Sequence, residues 1–362
     1  MTVTVADIST MLSQRTHQLV RELLPRGVRE GSEWCVGSLA GEPGRSMKIH
    51  LQGGKAGVWK DFSSGETGDA LELVAAVLFH GNKTDAIKWS RSWLGLDGLD
   101  PARLAQRRRE AEQAARQADA DAILKADKMR KIAQALWLGA RSDILDTPVA
   151  SYLGGRCIDI RLLPRVPGSL RFTDKCWNKE LKAEVPAMVA QISNGAGEHI
   201  ATHRTYIVRG DDGVWRKDKR LKDSKLSLGS FRGGFITLNR GASNKPIAKA
   251  PAGDRVILCE GIEDGLTLAL ACPEHRVLAG VSLGNFMNID LPPAIQDITI
   301  AADNDGENAQ AQSALDKAIL RFQAQGRRVA VARSEVGKDF NDQLQARSAP
   351  VLFSFSGAGA VS

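Results

Sequence analysis

The chain has 362 residues, 43% of them hydrophobic, which suffices for two or three domains with real cores and excludes wholesale disorder. A formal net charge of +7 favours a polyanionic partner, most simply nucleic acid. The five cysteines (Cys35, Cys157, Cys176, Cys259 and Cys272) form no Cys-x-x-Cys pair, which argues against a disulfide framework or a Cys-rich zinc site and fits a cytoplasmic location.

Met1-Thr2-Val3-Thr4 lacks the basic-then-apolar order of a signal peptide, and no stretch is apolar enough to span a bilayer. Residues 6–24 read as an amphipathic helix carrying Ile8, Leu12, Leu19 and Leu23. Short strands follow at 33–36, 47–51 and 57–62, separated by Gly and Pro clusters. Asp69 is placed to cap a helix over 70–80, and Thr84 another over 85–94. These elements form a small α+β domain over 1–97. Residues 98–140 read as a polar connecting helix whose end carries an apolar stripe, Met129, Ile132, Leu136 and Ala140, for docking on the next domain. The run Arg107-Arg108-Arg109 fits either a solvated face or a phosphate contact.

Residues 141–250 contain β-like runs at 187–192, 199–208 and 234–238. Between Arg204 and Arg240, ten Lys and Arg side chains face four Asp, with Trp177, Tyr206 and Trp215 nearby in sequence. Basic residues interleaved with aromatics suit a nucleic-acid or nucleotide-phosphate surface; a solvated hairpin is the alternative. From 251 to 348 strand and helix alternate, with strands at 255–259, 276–279, 297–302 and 328–333 and helices near 263–272, 307–325 and 339–347. That alternation predicts a parallel sheet. The tail 349–362 ends in a small, Gly-rich segment expected to fray.

Glu260-Gly261 follows the apolar run Val256–Cys259, and Asp303-Asn304-Asp305-Gly306 follows Ile298–Ala302. Ligands of open α/β sheets bind beyond the carboxyl ends of strands, so acids gathered there point to a divalent cation. A bare Asp-x-Asp is weak, since Asp119 and Asp121 repeat it on a helix, about 200° apart around the axis. Asp339 fits a helix N-cap as well as it fits a metal ligand.

In order and spacing, Cys259-Glu260-Gly261-Ile262-Glu263-Asp264-Gly265, Asp303-Asn304-Asp305-Gly306 and Lys338-Asp339-Phe340-Asn341-Asp342 resemble the Toprim domain of bacterial replicative primases, topoisomerases and some nucleases. The intervening 279–284 resembles the loop after its second strand. Upstream, Leu221–Lys225 with the Gly-rich 229–234, and Ala201–Tyr206, are similar to the basic segments of primases. Val58–Phe62 through Gly68–Leu71 looks like the end of a primase zinc-binding domain, but the ligands are missing, so a zinc-free ribbon held by Trp34, Trp59, Phe62 and Leu71 is expected.

The resemblance implies an α/β chain with a C-terminal Toprim domain built on a parallel, Rossmann-like sheet, preceded by a basic α+β subdomain and a ribbon-like N-terminal domain. It implies a DNA primase of a phage or other mobile element, making RNA primers from ribonucleoside triphosphates on single-stranded DNA. Glu260, Asp303 and Asp305, with Asp339, would hold Mg²⁺ or Mn²⁺, and Asp264 would support them. Arg204, Arg209, Lys222, Lys225, Arg232 and Lys338 would hold nucleotide or DNA phosphates. A replicative helicase on a separate chain is the expected protein partner. A Toprim-type nuclease and a non-catalytic DNA-binding accessory protein are the alternatives. The remaining histidines, His275 among them, are expected to be packing or surface residues.

Overall fold

The computed structural model describes residues 3–97, 101–304, 306 and 308–348. Asp305 and the tail from 349 lie outside the described residues. The chain divides into two compact units, Met1–Lys125 and Ala126–Ser362.

In the first unit, α1 (Val5–Gln14) and α2 (Thr16–Leu23) replace the single helix expected over 6–24. The break falls at Arg15, where Thr16 is buried and donates its hydroxyl to Ser13 O. The turn lets Ile8, Leu12, Leu19 and Leu23 enter one core. An antiparallel meander follows, in spatial order: β1 (Val28–Glu30), β2 (Glu33–Val36), β3 (Met47–His50), β4 (Trp59–Asp61) and β5 (Thr67–Gly68). Trp34 and Trp59 are buried, and their indole N–H groups donate to Leu24 O and Asp69 O. Phe62 differs from expectation: it is 48% exposed, because alternation sets it beside Lys60 on the outer face. Asp69 caps α3 (Ala70–Phe79) in a reciprocal box with Glu72. Asn82, two residues before Thr84, caps α4 (Lys83–Trp93).

Helix α5 (Pro101–Gly139) contributes residues to both units. Its docking face in the second unit is rotated from the expected stripe. Ile132 is exposed, whereas Ala133 and Ala140 are buried and Leu136 and Trp137 half-buried. The small Ala133 lets the sheet come close enough for Thr202 to donate to its carbonyl at 2.7 Å.

After α6 (Pro148–Gly154) come β6 (Leu170–Asn178), β7 (Ala183–Ser193), β8 (His199–Arg209), β9 (Trp215–Lys217) and β10 (Lys225–Leu228). They form an antiparallel sheet in the order β10-β8-β7-β6, with β9 also on β8. The run expected at 234–238 appears as β11 (Ile236–Arg240), but it joins the next sheet, antiparallel to β13 (Arg276–Ala279). Ser193 and Phe235 exchange two backbone hydrogen bonds and so tie the sheets together.

The second sheet has the order β11-β13-β12-β14-β15, with β12 (Arg255–Cys259), β14 (Asp297–Ala302) and β15 (Arg328–Arg333) parallel to β13. Helix α7 (Ile262–Ala271) follows β12, α8 (Ala309–Ala324) follows β14, and α9 (Phe340–Ser348) follows β15. The chain leaves β12 for β13 on one side and later returns to β14 on the other. This reversal opens a crevice at the carboxyl ends of β12 and β14. Gly265 lets α7 lie on the sheet: a Cβ there would come within 2.4 Å of Leu238 Cδ1 and 2.7 Å of Cys259 Sγ.

Candidate active site

The apolar strand β12 ends at Cys259, which leaves Glu260 half-exposed at its tip and Gly261 as the N-cap of α7. β14 ends at Ala302 and presents Asp303 beside it. Asn304 fixes this second loop, because its backbone N–H donates to Lys338 O and its amide donates to Ser334 O and Gly337 O. Asp339 accepts from Asp342 N at 2.8 Å and thus begins α9, in keeping with its N-cap reading. Phe340 N, one residue on, donates to Asp264 Oδ1 at 2.8 Å.

Glu260, Asp264, Asp303 and Asp339 line one pocket of about 260 Å³, together with Arg156, His203, Lys217, Lys225, Glu263 and Lys338. Asp264 is 4% exposed, and its second oxygen, Oδ2, is buried without a hydrogen bond. Burial, then Asp339 and Asp303, push its carboxyl up to about 7, while the Phe340 and Asn341 amides oppose the rise. An orphaned carboxylate oxygen beside further acids is a cluster whose excess negative charge a cation would relieve. The donor set therefore fits a hard divalent ion, with Glu260, Asp264, Asp303 and Asp339 as its surroundings.

The opposite wall is basic and is built on Glu263, which is 3% exposed. Lys217 Nζ and Lys225 Nζ each lie 3.0 Å from a Glu263 oxygen, and the Tyr152 hydroxyl donates to Oε1. Burial pushes this carboxyl up, but Lys225 and Lys217, with Tyr152, hold it well below the usual range. Burial lowers Lys217, and it opposes the rise that Glu263 gives Lys225. Burial, then the Lys225 charge, brings His203 down to about 4. Arg156 and Asn341 bond reciprocally through Arg156 Nε and O, and Asn341 also reaches Thr267, so the turn after α6, α7 and α9 are held together at the pocket.

Of the residues expected from sequence, Glu260, Asp264, Asp303, Asp339, Lys225 and Lys338 share this pocket. Asp305 lies outside the described residues. Arg204 does not enter it. Alternation along β8 sends His203 toward the acids and Arg204 to the other face, over the Tyr206 ring. Arg209 is exposed and donates to Gly213 O in its own hairpin. Lys222 is exposed too, with its backbone N–H on Glu180. Arg232 lines a separate cleft of about 790 Å³ with Asn194, Asn288 and Arg321. Sequence reasoning missed Tyr152, Arg156, Lys217, Glu263 and Asn341. For Glu263 a signal existed: it and Asp264 are adjacent acids inside an otherwise apolar helix.

The Toprim domain family matches residues 255–349. The C-terminal part of this chain is a Toprim domain. A family described only as a domain of unknown function matches residues 127–238, upstream of the Toprim domain. No curated protein matches the chain. Among solved structures, the Aquifex aeolicus primase (zinc binding and RNA polymerase domains) is 16% identical, with 94% of this chain and 82% of that chain covered and a TM-score of 0.37. The E. coli primase catalytic core is 14% identical over 60% of this chain and 76% of that chain, with a TM-score of 0.41. The primase fragment of the bacteriophage T7 primase-helicase protein is 17% identical over 55% and 70%, with a TM-score of 0.34. Among the described residues, no helix is long and apolar enough to cross a membrane.

Proposed function

We propose that this chain is a DNA primase that joins ribonucleotides into short primers on single-stranded DNA. The supporting observation is the pairing, in one Toprim pocket, of an acid cluster containing the orphaned Asp264 Oδ2 with the basic wall of Lys217, Lys225 and Arg156. Glu260, Asp264, Asp303 and Asp339, joined by Asp305, would hold Mg²⁺ or Mn²⁺. When bound, such cations acidify the primer 3′-hydroxyl and neutralise charge on the α-phosphate and the leaving pyrophosphate.

Lys217 and Lys225 share one carboxylate, so the trio keeps a positive charge for a nucleoside triphosphate. Lys338 and Arg156 extend that surface at the pocket's edges. His203, neutral near pH 7, completes the wall without adding a charge. The exposed Arg209 and Lys222 and the cleft residue Arg232 are assigned to the template strand, and Arg204 to packing around Tyr206. A replicative helicase on another chain is the proposed protein partner.

The test is to incubate the protein with single-stranded DNA, labelled ribonucleotides and Mg²⁺ or Mn²⁺. New oligoribonucleotides are expected from the parent and none from folded Asp303→Asn/Asp305→Asn. A shortened template would replace the reading with a nuclease. DNA retention without either product would replace it with a binding protein.

A further inference from the structure

At the far edge of the Toprim sheet, the turn Cys272-Pro273-Glu274-His275 joins α7 to β13. Parallel strands put this turn at the amino ends of the sheet, about 13 Å, a four-residue strand length, from the edge that carries the acid pocket. The sequence had suggested no ligand spacing here. In the fold, Cys272 Sγ, a Glu274 carboxylate oxygen and a ring nitrogen of His275 lie within 4.8 Å of one another.

Two observations separate this group from a chance cluster of neighbours. First, His275 Nδ1 is buried and lies 2.8 Å from Glu274 Oε1, so two of the three donors already converge. Second, the turn is braced from outside. Asn239 Nδ2 donates to Pro273 O and His275 O, Ala242 N donates to Glu274 O, and His275 N donates back to Cys272 O. Gly241 is packed so close that a Cβ there would meet Glu274 O at 2.7 Å. Cys272 is also the C-cap of α7, where the exposed carbonyls of the last turn favour a cation.

We propose that Cys272, Glu274 and His275 form a binding site for a zinc-class divalent ion. One thiolate, one imidazole and one carboxylate are the donor types of zinc, and three protein ligands leave the fourth position to water. This sulfur-containing set differs from the oxygen-rich surroundings at Asp264 and Asp303, which suit Mg²⁺ or Mn²⁺. The ion would fasten the end of α7 to the start of β13, and the site is independent of the primase reading.

The experiment uses the full chain, stripped with a chelator and titrated with Co²⁺ and then Zn²⁺. One Co²⁺ per chain is expected to give thiolate-to-cobalt charge-transfer absorption that Zn²⁺ abolishes, and Zn²⁺ is expected to raise the melting temperature. Cys272→Ser should remove the band, and His275→Gln should weaken binding by at least about 100-fold, beyond the loss of a supporting partner. Cys157→Ser and Asp303→Asn should leave the band intact, which separates the site from the exposed Cys157 thiol and from the acid pocket. Circular dichroism of the metal-free variants checks that they fold. Absence of the band in the parent, or its survival in Cys272→Ser, overturns the proposal.

Discussion

Glu263→Gln tests the basic wall directly. In the parent, one buried carboxylate neutralises part of the charge of Lys217 and Lys225 and accepts from Tyr152. The amide removes the negative charge and adds a donor where three donors already converge. Breaking a buried ion pair by deleting one partner costs about 3–5 kcal/mol. Here the two lysine side chains keep 30% and 37% of their exposure, so water recovers part of that loss. The expected destabilisation is therefore about 2–3 kcal/mol. For a unit of the size of Ala126–Ser362 this is a fall in melting temperature of roughly 4–12 °C. Urea unfolding followed by circular dichroism and fluorescence gives the free energy. Tyr152→Phe, alone and combined with Glu263→Gln, gives the coupling between hydroxyl and carboxylate. A Glu263→Gln protein within about 0.5 kcal/mol of the parent would refute the reasoning, since surface substitutions change stability by no more than that.

His203 supplies a pH dependence. Its pKa is about 4 in the fold against 6.5 for an ordinary histidine, so the unfolded chain binds the proton first as pH falls. The stability that comes from keeping the ring neutral is complete above pH 6.5 and is lost on acidification toward pH 4. It amounts to about 3 kcal/mol at most, and His203→Gln should flatten that part of the curve in urea midpoints measured across the range. Gly265→Ala should destabilise by about 1–3 kcal/mol despite the better helix propensity of alanine, because its Cβ meets Leu238 and Cys259; a raised melting temperature would contradict the packing. Asn341→Ala should cost about 2–3 kcal/mol by stranding the Arg156 and Thr267 groups that it satisfies, and hydrogen exchange should then quicken at the start of α9.

The acids at the strand ends were legible because β12 and β14 are short apolar runs whose termini are marked by Glu260-Gly261 and by Asp303. What the pattern could not carry was the face of each strand. Lys217, Lys222 and Lys225 belong to one basic stretch, yet only Lys217 and Lys225 sit on strands, paired opposite Ile207 and Thr205 on the face shared with His203. Arg204 is one residue from His203 and points the other way, a difference set by register rather than residue type. Tyr152 and Glu263 are 111 positions apart, so no local signal announces their bond. Strand β11 was recognised as a strand, but its partner β13 lies beyond the intervening β12 and α7, and that pairing is a tertiary choice.

That pairing bears on how the protein can be divided. A fragment starting at residue 251, where sequence alone would cut, lacks β11. The edge of β13 would then present unpaired backbone groups, and the apolar surface around Gly265 and Val277 that Leu238 covers would face water. Such an edge invites association between copies. The smallest soluble piece carrying the acid pocket should therefore begin before Ile236, well upstream of the segment that the Toprim family matches.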